Sequence, residues 1–315
     1  MPEPNTAFEA FALAAVFVLG AVTGSFANVC ISRWPQGQSV VSPRSRCPKC
    51  LNAIAWYDNI PILSWIFLGA KCRHCREPIS VQYPLVEALT GVLFMLTYWR
   101  FGFTVATPVY LALAAALVIV TFQDLADWTI PDEITLPGIP LGFLVSVVGM
   151  LYGEQSHLRV LHPFDALAGM LLGGGILLIL DRVTVLLLKK PGMGMGDVKL
   201  LGMLGTFIGW KGVLGTLMIA SVLGSIIGLI LIGLAKRRHS KSPASESASA
   251  DDEVSTNEEE PQEEAEQEIT LEGHYLPFGP YLALGALIYL FIGPEVLAWY
   301  QNYLNPTEPG LIIVR

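Results

Sequence analysis

"ILLILDRVTVLLLKKPGMGMGDVKLLGMLGTFIG" (residues 176–209) sets two apolar runs on either side of a break made of lysines, a proline and alternating glycines, and the break ends on Asp197. A bilayer crossing takes about 20 mostly apolar residues. The run before the break extends back to residue 164, and the run after it begins at residue 198. Both read as membrane helices with a polar connection between them. The same pattern recurs along the chain, with spans expected near 7–29, 84–100, 106–123, 134–152, 164–188, 198–210, 212–235 and 277–300. The sixth is short and can also be joined to the seventh as a broken hairpin, which leaves eight passes or seven. The expected fold is all-α, a polytopic membrane helix bundle with about eight transmembrane helices. Composition agrees: 53% of residues are hydrophobic and 15% charged, with a mean hydropathy of +0.53. Soluble domains carry about a quarter charged residues, so the pair of soluble domains that 315 residues would allow is excluded. The start, "MPEPNTAFEAF", has no basic stretch ahead of its apolar run and does not read as a cleaved signal.

The net charge of -8 comes from one segment. Residues 236–272 hold 12 acids and 4 bases, and the rest of the chain holds 15 of each. That segment is rich in Ser, Glu, Ala and Pro and nearly free of aliphatic residues, so it reads as a disordered acidic tether. The remainder is neutral, and no nucleic-acid partner is expected. The domains expected are a first transmembrane helix (1–30), a loop domain (31–83), a transmembrane bundle (84–235), the tether (236–272) and a last helix with its tail (273–315). Nothing in the chain encodes an oligomeric state.

Lysine and arginine set the orientation. With the N-terminus outside, the inner loops carry 14 bases and the outer segments four, with Arg182 inside a span. This places residues 31–83, Asp124, the break at 189–199 and "YLPFGPY" (275–281) together at the cytoplasmic face.

Two of these features are acids. Asp124, Asp127 and Asp132 crowd into "DLADWTIPD" (124–132), and Asp197 closes the glycine run. Asp132 and Glu133 follow Pro131 at a helix N-terminus, where the helix dipole accounts for them. Asp124 and Asp127 end a helix, where that dipole is unfavourable to an acid. Glycines ahead of Asp197 permit positive φ and close approach. Such a frame can set its carboxylate beside a second one with room for an extended peptide. Two facing carboxylates share a proton and serve as general base and general acid around one water. Asp124 and Asp197 are the candidate catalytic pair.

"CPKC" (47–50) and "CRHC" (72–75) are separated by 21 residues. Two Cys-x-x-Cys pairs suit tetrahedral zinc, so Cys47, Cys50, Cys72 and Cys75 are the candidate ligands. The loop faces the reducing side, which disfavours disulfides. Four thiolates close the coordination shell, so the zinc is expected to be structural and to supply a core to a small polar loop. His74 lies within the second pair and can be a ligand or an outer residue. Cys30 has no partner and reads as a packed small apolar residue. Glu87, within the second span, is expected to face the bundle interior. Asp181 and Arg182 either neutralise one another or reach for the interface. "GGG" (173–175) reads as close helix packing.

"DLADWTIPD" and "GMGD" (194–197) resemble the two aspartate motifs of the type IV prepilin peptidases, membrane aspartyl proteases of the Gly-x-Gly-Asp kind. "GSFANVCISRWP" (24–35), "YPLVEALTG" (83–91) and "PFGPYLALGA" (277–286) are also similar to family blocks. The resemblance covers nearly the whole chain except the acidic tether. By motif position it carries the catalytic role to Asp124 and Asp197 and leaves Asp127 and Asp132 as bystanders. It implies prepilin and type II secretion pseudopilin substrates, cut after a glycine at the cytoplasmic membrane face, before a hydrophobic helix that stays in the lipid. It also implies a bacterial inner-membrane location. Longer members N-methylate the new N-terminal residue with S-adenosylmethionine, and the cysteine loop marks the longer type. For Glu87 two readings stand: a part in methylation as a cofactor-binding residue, or a structural hydrogen bond. Two alternatives differ in class or substrate, namely another intramembrane aspartyl protease and a zinc-regulated membrane transporter. A transporter would place its acids nearer the bilayer midplane.

Overall fold

In the computed structural model of the protein, residues 6–189, 194–239 and 277–304 are described. Eight α-helices run in chain order among these residues: α1 (Thr6–Arg33), α2 (Leu63–Phe67), α3 (Gln82–Phe101), α4 (Ala106–Asp127), α5 (Asp132–Tyr152), α6 (Pro163–Leu188), α7 (Met195–His239) and α8 (Gly279–Leu304). The described residues form no strand, only two isolated bridges in the loop between α1 and α3. Among the described residues, six helices are long and apolar enough to cross a membrane: α1, α4, α5, α6, α7 and α8. The α3 helix, which carries Glu87 and Arg100, is not among them. Most of the tether expected at 236–272 lies outside the described residues. Residues 236–239 end α7, and the described residues 222–239 belong to a second compact unit.

Helices α1 and α3 pack antiparallel through small residues. A Cβ on Gly20 would fall 2.7 Å from the Gly91 Cα, and one on Gly24 would fall 2.7 Å from the Glu87 Cα. The two backbones therefore meet at a distance that excludes any side chain between them. Since α4 follows α3 by a short turn at the far end, α4 returns to the end where α1 finishes. Asp124 in its last turn thus shares that end, called here the loop end, with the cysteine loop.

Gly209 decides the number of passes. It has φ 70° and ψ 178° in the middle of α7, a left-handed conformation that favours glycine. Before it, α7 runs antiparallel to α6: a Cβ on Gly173 would lie 2.6 Å from the Leu201 carbonyl oxygen, and Gly169 faces Gly205. After it, α7 runs antiparallel to α8. A Cβ on Gly215 would meet the Tyr289 ring at 2.7 Å, and one on Gly285 would meet the Thr216 carbonyl oxygen at 2.8 Å. Helix α8 starts beside Asp124, so the second part of α7 runs back toward the loop end. The chain reverses at Gly209, and the sixth and seventh expected spans are separate passes.

The main core joins α4, both parts of α7 and α8 through Tyr110, Leu117, Leu200, Leu204, Leu282 and Leu290. A second cluster of Ala27, Cys30, Val86 and Val118 ties α1 and α3 to α4, and Cys30 is fully buried there as a small apolar residue. At the far end, Pro294 interrupts the hydrogen bonding of α8, because its missing N–H leaves the Leu290 carbonyl without a helix donor. Arg159 Nε and Nη2 donate to that carbonyl at 3.1 and 2.6 Å. Arg100 Nε donates to the next carbonyl, Phe291, at 3.1 Å, and its Nη2 pairs with Glu295.

Candidate active site

Asp124 is placed by the end of α4. Its carbonyl accepts from the Trp128 N–H at 3.0 Å, and Trp128 turns the chain with φ 58°. The side chain is buried. Its Oδ2 accepts the Gly279 N–H of α8 at 3.0 Å. An acid at the end of one helix is thus met by the free N–H of another helix's first turn, which offsets the unfavourable dipole of α4. A Cβ on Gly279 would lie 2.5 Å from that oxygen, so this backbone approach needs a glycine.

Asp197 lies in the first turn of α7, with its N–H bonded to the Gly194 carbonyl at 3.1 Å. It is also buried, and its Oδ1 has no hydrogen-bond partner among the described residues. Ile130 packs between the two acids' supports. A Cβ on Gly196 would lie 2.9 Å from the Ile130 Cβ, and one on Gly279 3.2 Å from the Ile130 Cδ1. Asp197 is near enough to Asp124 to feel its charge. The glycine run therefore brings Asp197 to a face where Ile130 and Asp124 are already held.

Asp127 and Glu133 are exposed. Asp132 is exposed too, but Lys199 Nζ donates to both its oxygens at 2.7 and 2.8 Å. This pair clamps the segment after Asp124 to the helix that carries Asp197. The sequence reading explained Asp132 by the helix dipole alone and did not find Lys199. Their signal was a base two residues past Asp197 and an acid eight past Asp124, a pairing that only the helix arrangement creates. Asp181 is buried and Arg182 beside it is exposed.

The four cysteine sulfurs lie within 4.8 Å of one another. Cys47 and Cys75 sulfurs are 3.8 Å apart, and Cys50 and Cys72 sulfurs 4.0 Å. A tetrahedron with Zn–S bonds of about 2.3 Å has S···S edges of about 3.8 Å, so the donor set fits that metal. His74 is exposed and outside the cluster. Two turns of one design supply the ligands. In the first, the Cys47 N–H bonds the Asn52 carbonyl, the Leu51 N–H bonds the Cys47 carbonyl and Ile54 bonds Ser45; in the second, Cys72, Arg76 and Ile79 repeat this with Glu77, Cys72 and Ala70. The bridges Arg46–Ala53 and Lys71–Pro78 match as well. This duplication is hidden in the sequence, where only the cysteines recur.

Glu87 joins the loop to the helices. Its Oε2 accepts the Ile62 N–H at 2.7 Å. Ile62 has φ 63°, an uncommon conformation for a β-branched residue, and this bond holds it at the start of α2.

These features define a multi-pass membrane protein with two buried aspartates and a four-cysteine cluster at one end of its bundle. Residues 18–101 match the bacterial peptidase A24 N-terminal domain, and residues 111–229 match the type IV leader peptidase family. The first match ends with α3; the second contains both aspartates. The chain is 36% identical to the prepilin leader peptidase/N-methyltransferase of Myxococcus xanthus over 95% of its length and 94% of the relative. It is 32% identical to the Aeromonas hydrophila protein of that name, covering 92% of the chain and 94% of the relative. The corresponding figures for the Neisseria gonorrhoeae protein of that name are 36%, 73% and 85%. No solved structure matches the chain. The chain belongs to the type IV leader peptidase family.

Proposed function

We propose that this inner-membrane protein cleaves the leader from type IV prepilins and type II secretion pseudopilins at the cytoplasmic membrane face and N-methylates the residue exposed by the cut. The observation that carries the reading is the meeting of Asp124 and Asp197, buried, at the loop end of the bundle. The pair shares one proton and holds a water. One carboxylate takes a proton from the water as its oxygen attacks the scissile carbonyl carbon. The other protonates the leaving nitrogen as the C–N bond breaks.

The position of the pair supports a substrate that stays in lipid. From Asp197 to the turn at Gly209 the helix rises only about 20 Å at about 1.5 Å per residue, against a hydrocarbon core of about 30 Å. With Gly209 at one face, Asp197 lies inside the opposite edge, where a pilin helix emerges. A transporter reading gains nothing from acids at one end of the bundle. Residues 31–83 carry seven bases, which supports placing that end in the cytoplasm.

Cys47, Cys50, Cys72 and Cys75 would hold a structural zinc, which supplies the loop with a core. S-adenosylmethionine, when bound, supplies the methyl group. The test is prepilin cleavage in membranes carrying Asp124→Asn, Asp197→Asn or Asp127→Asn. The first two are expected to lose roughly 10²–10⁴-fold in rate, the scale of positioned acid–base catalysis, with Asp127→Asn near wild type. Normal cleavage by either of the first two would remove the paired-acid mechanism.

A further inference from the structure

The two cysteine turns are alike in backbone but not in side chains. The first reads Cys47-Pro48-Lys49-Cys50-Leu51, and the second reads Cys72-Arg73-His74-Cys75-Arg76. Because the first makes the same turn and the same hydrogen bonds with Pro48 and Leu51, metal binding requires neither Arg73 nor Arg76. Both arginines line a 370 Å³ cavity between the second turn, the 3-10 turn at Trp56–Asn59 and helix α2. That volume falls within the range of about 300–1,000 Å³ for small-molecule sites.

The walls of this cavity divide by chemistry. Tyr57, Leu63 and Phe67 form an apolar and aromatic side, and Phe67 is 84% exposed with nothing covering it. Asp58 supplies a carboxylate to the lining, held by the Arg73 fork at 2.5 and 2.7 Å, with Arg73 also over the Tyr57 ring at 5.6 Å. Each carboxylate oxygen keeps a lone pair for another donor. Arg76 makes no ion pair among the described residues. An aromatic shelf, a fixed carboxylate and an unpaired guanidinium suit a ligand with a flat heterocycle, a vicinal diol and a free carboxylate.

Resting on the N-methyltransferase reading above, we propose that this cavity binds S-adenosylmethionine: adenine against Tyr57, Leu63 and Phe67, ribose hydroxyls on Asp58, and the methionyl carboxylate on Arg76. The cavity lies in the cysteine loop, at the same end of the bundle as the two aspartates. A basic leader peptide is a poorer occupant, because the loop's bases repel it.

The test is equilibrium binding of radiolabelled S-adenosylmethionine to the full-length protein in lipid nanodiscs, with metal content and prepilin cleavage measured on the same samples. Arg76→Leu installs the residue that the first turn already carries, and Phe67→Ala removes an exposed ring remote from the metal. Each is expected to weaken binding by at least about tenfold, as loss of a charge-assisted bond or a stacking face does, with metal and cleavage retained. Leu51→Arg, in the other turn, is expected to bind as wild type does. Binding within about twofold of wild type in both variants would overturn the site. If Arg76→Leu sheds its metal, Phe67→Ala decides by the same threshold. Absence of binding by the wild type would instead remove the methyltransferase reading, and the site with it.

Discussion

Lys199 and Asp132 are two surface residues whose ion pair spans the two chain segments that carry the acids. An exposed ion pair contributes little to stability. Its effect belongs to geometry, since a misplacement of about 1 Å at a reacting centre can cost on the order of 100-fold. Lys199→Met and Asp132→Asn are each expected to lower the turnover of prepilin cleavage between about threefold and 100-fold with KM little changed. The exchanged pair, Asp132→Lys with Lys199→Asp, is expected to recover part of the loss in the same kinetic assay. Unchanged turnover in both single variants would show that Ile130 against Gly196 holds the spacing alone. The sequence presented Asp132 as an ordinary helix-start acid because its partner lies 67 residues away.

The helices α8 and α3 show how an element depends on others. Pro294 leaves the Leu290 carbonyl without its helix donor, and Arg159 from the α5–α6 connection replaces it. Removing that donor strands a buried carbonyl at a cost of about 1–3 kcal/mol. Arg159→Met is expected to destabilise the protein by that amount in thermal unfolding. Adding Pro294→Ala should restore part of the loss, since an alanine at that position brings its own N–H. Equal destabilisation of the single and double variants would place the role of Arg159 elsewhere, such as its contact over Phe101. At the α1–α3 crossing, Gly24→Leu would drive a side chain into the Glu87 backbone. Overpacking of this kind costs about 1–3 kcal/mol or more. It is also expected to loosen the cysteine loop, read as faster proteolysis within residues 37–62, because Glu87 holds Ile62.

At the scale of the whole molecule, the helices and the loop draw on different sources of stability. The bundle rests on apolar packing around Tyr110, Leu117 and Leu204. The loop buries little, with Cys47 and Ser64 its buried residues, and its two bridges are isolated. A structural metal fills the role of a core in such a segment. Chelation, or Cys72→Ser, is expected to open the loop to protease while far-UV circular dichroism retains most of its helical signal. A bundle that melts together with the loop would show that the metal stabilises the whole protein.

The sequence alone determined what local chemistry can carry. Apolar runs of span length located most of the helices, and the paired Cys-x-x-Cys spacing named four cysteines whose sulfurs gather in one cluster. The glycine run also marked Asp197 as an acid on backbone able to approach closely, and the resemblance to the prepilin peptidases singled out Asp124 as its partner. What it left open depends on residues distant in the chain. Whether spans six and seven are one pass or two was settled by Gly209, whose left-handed φ reverses the helix. Neither the Gly279 N–H on Asp124, the Lys199–Asp132 clamp nor the Arg159 replacement at Pro294 leaves a local pattern. Each joins groups that only helix packing brings within hydrogen-bond reach, and a periodic apolar signal is the same whichever neighbour a helix meets.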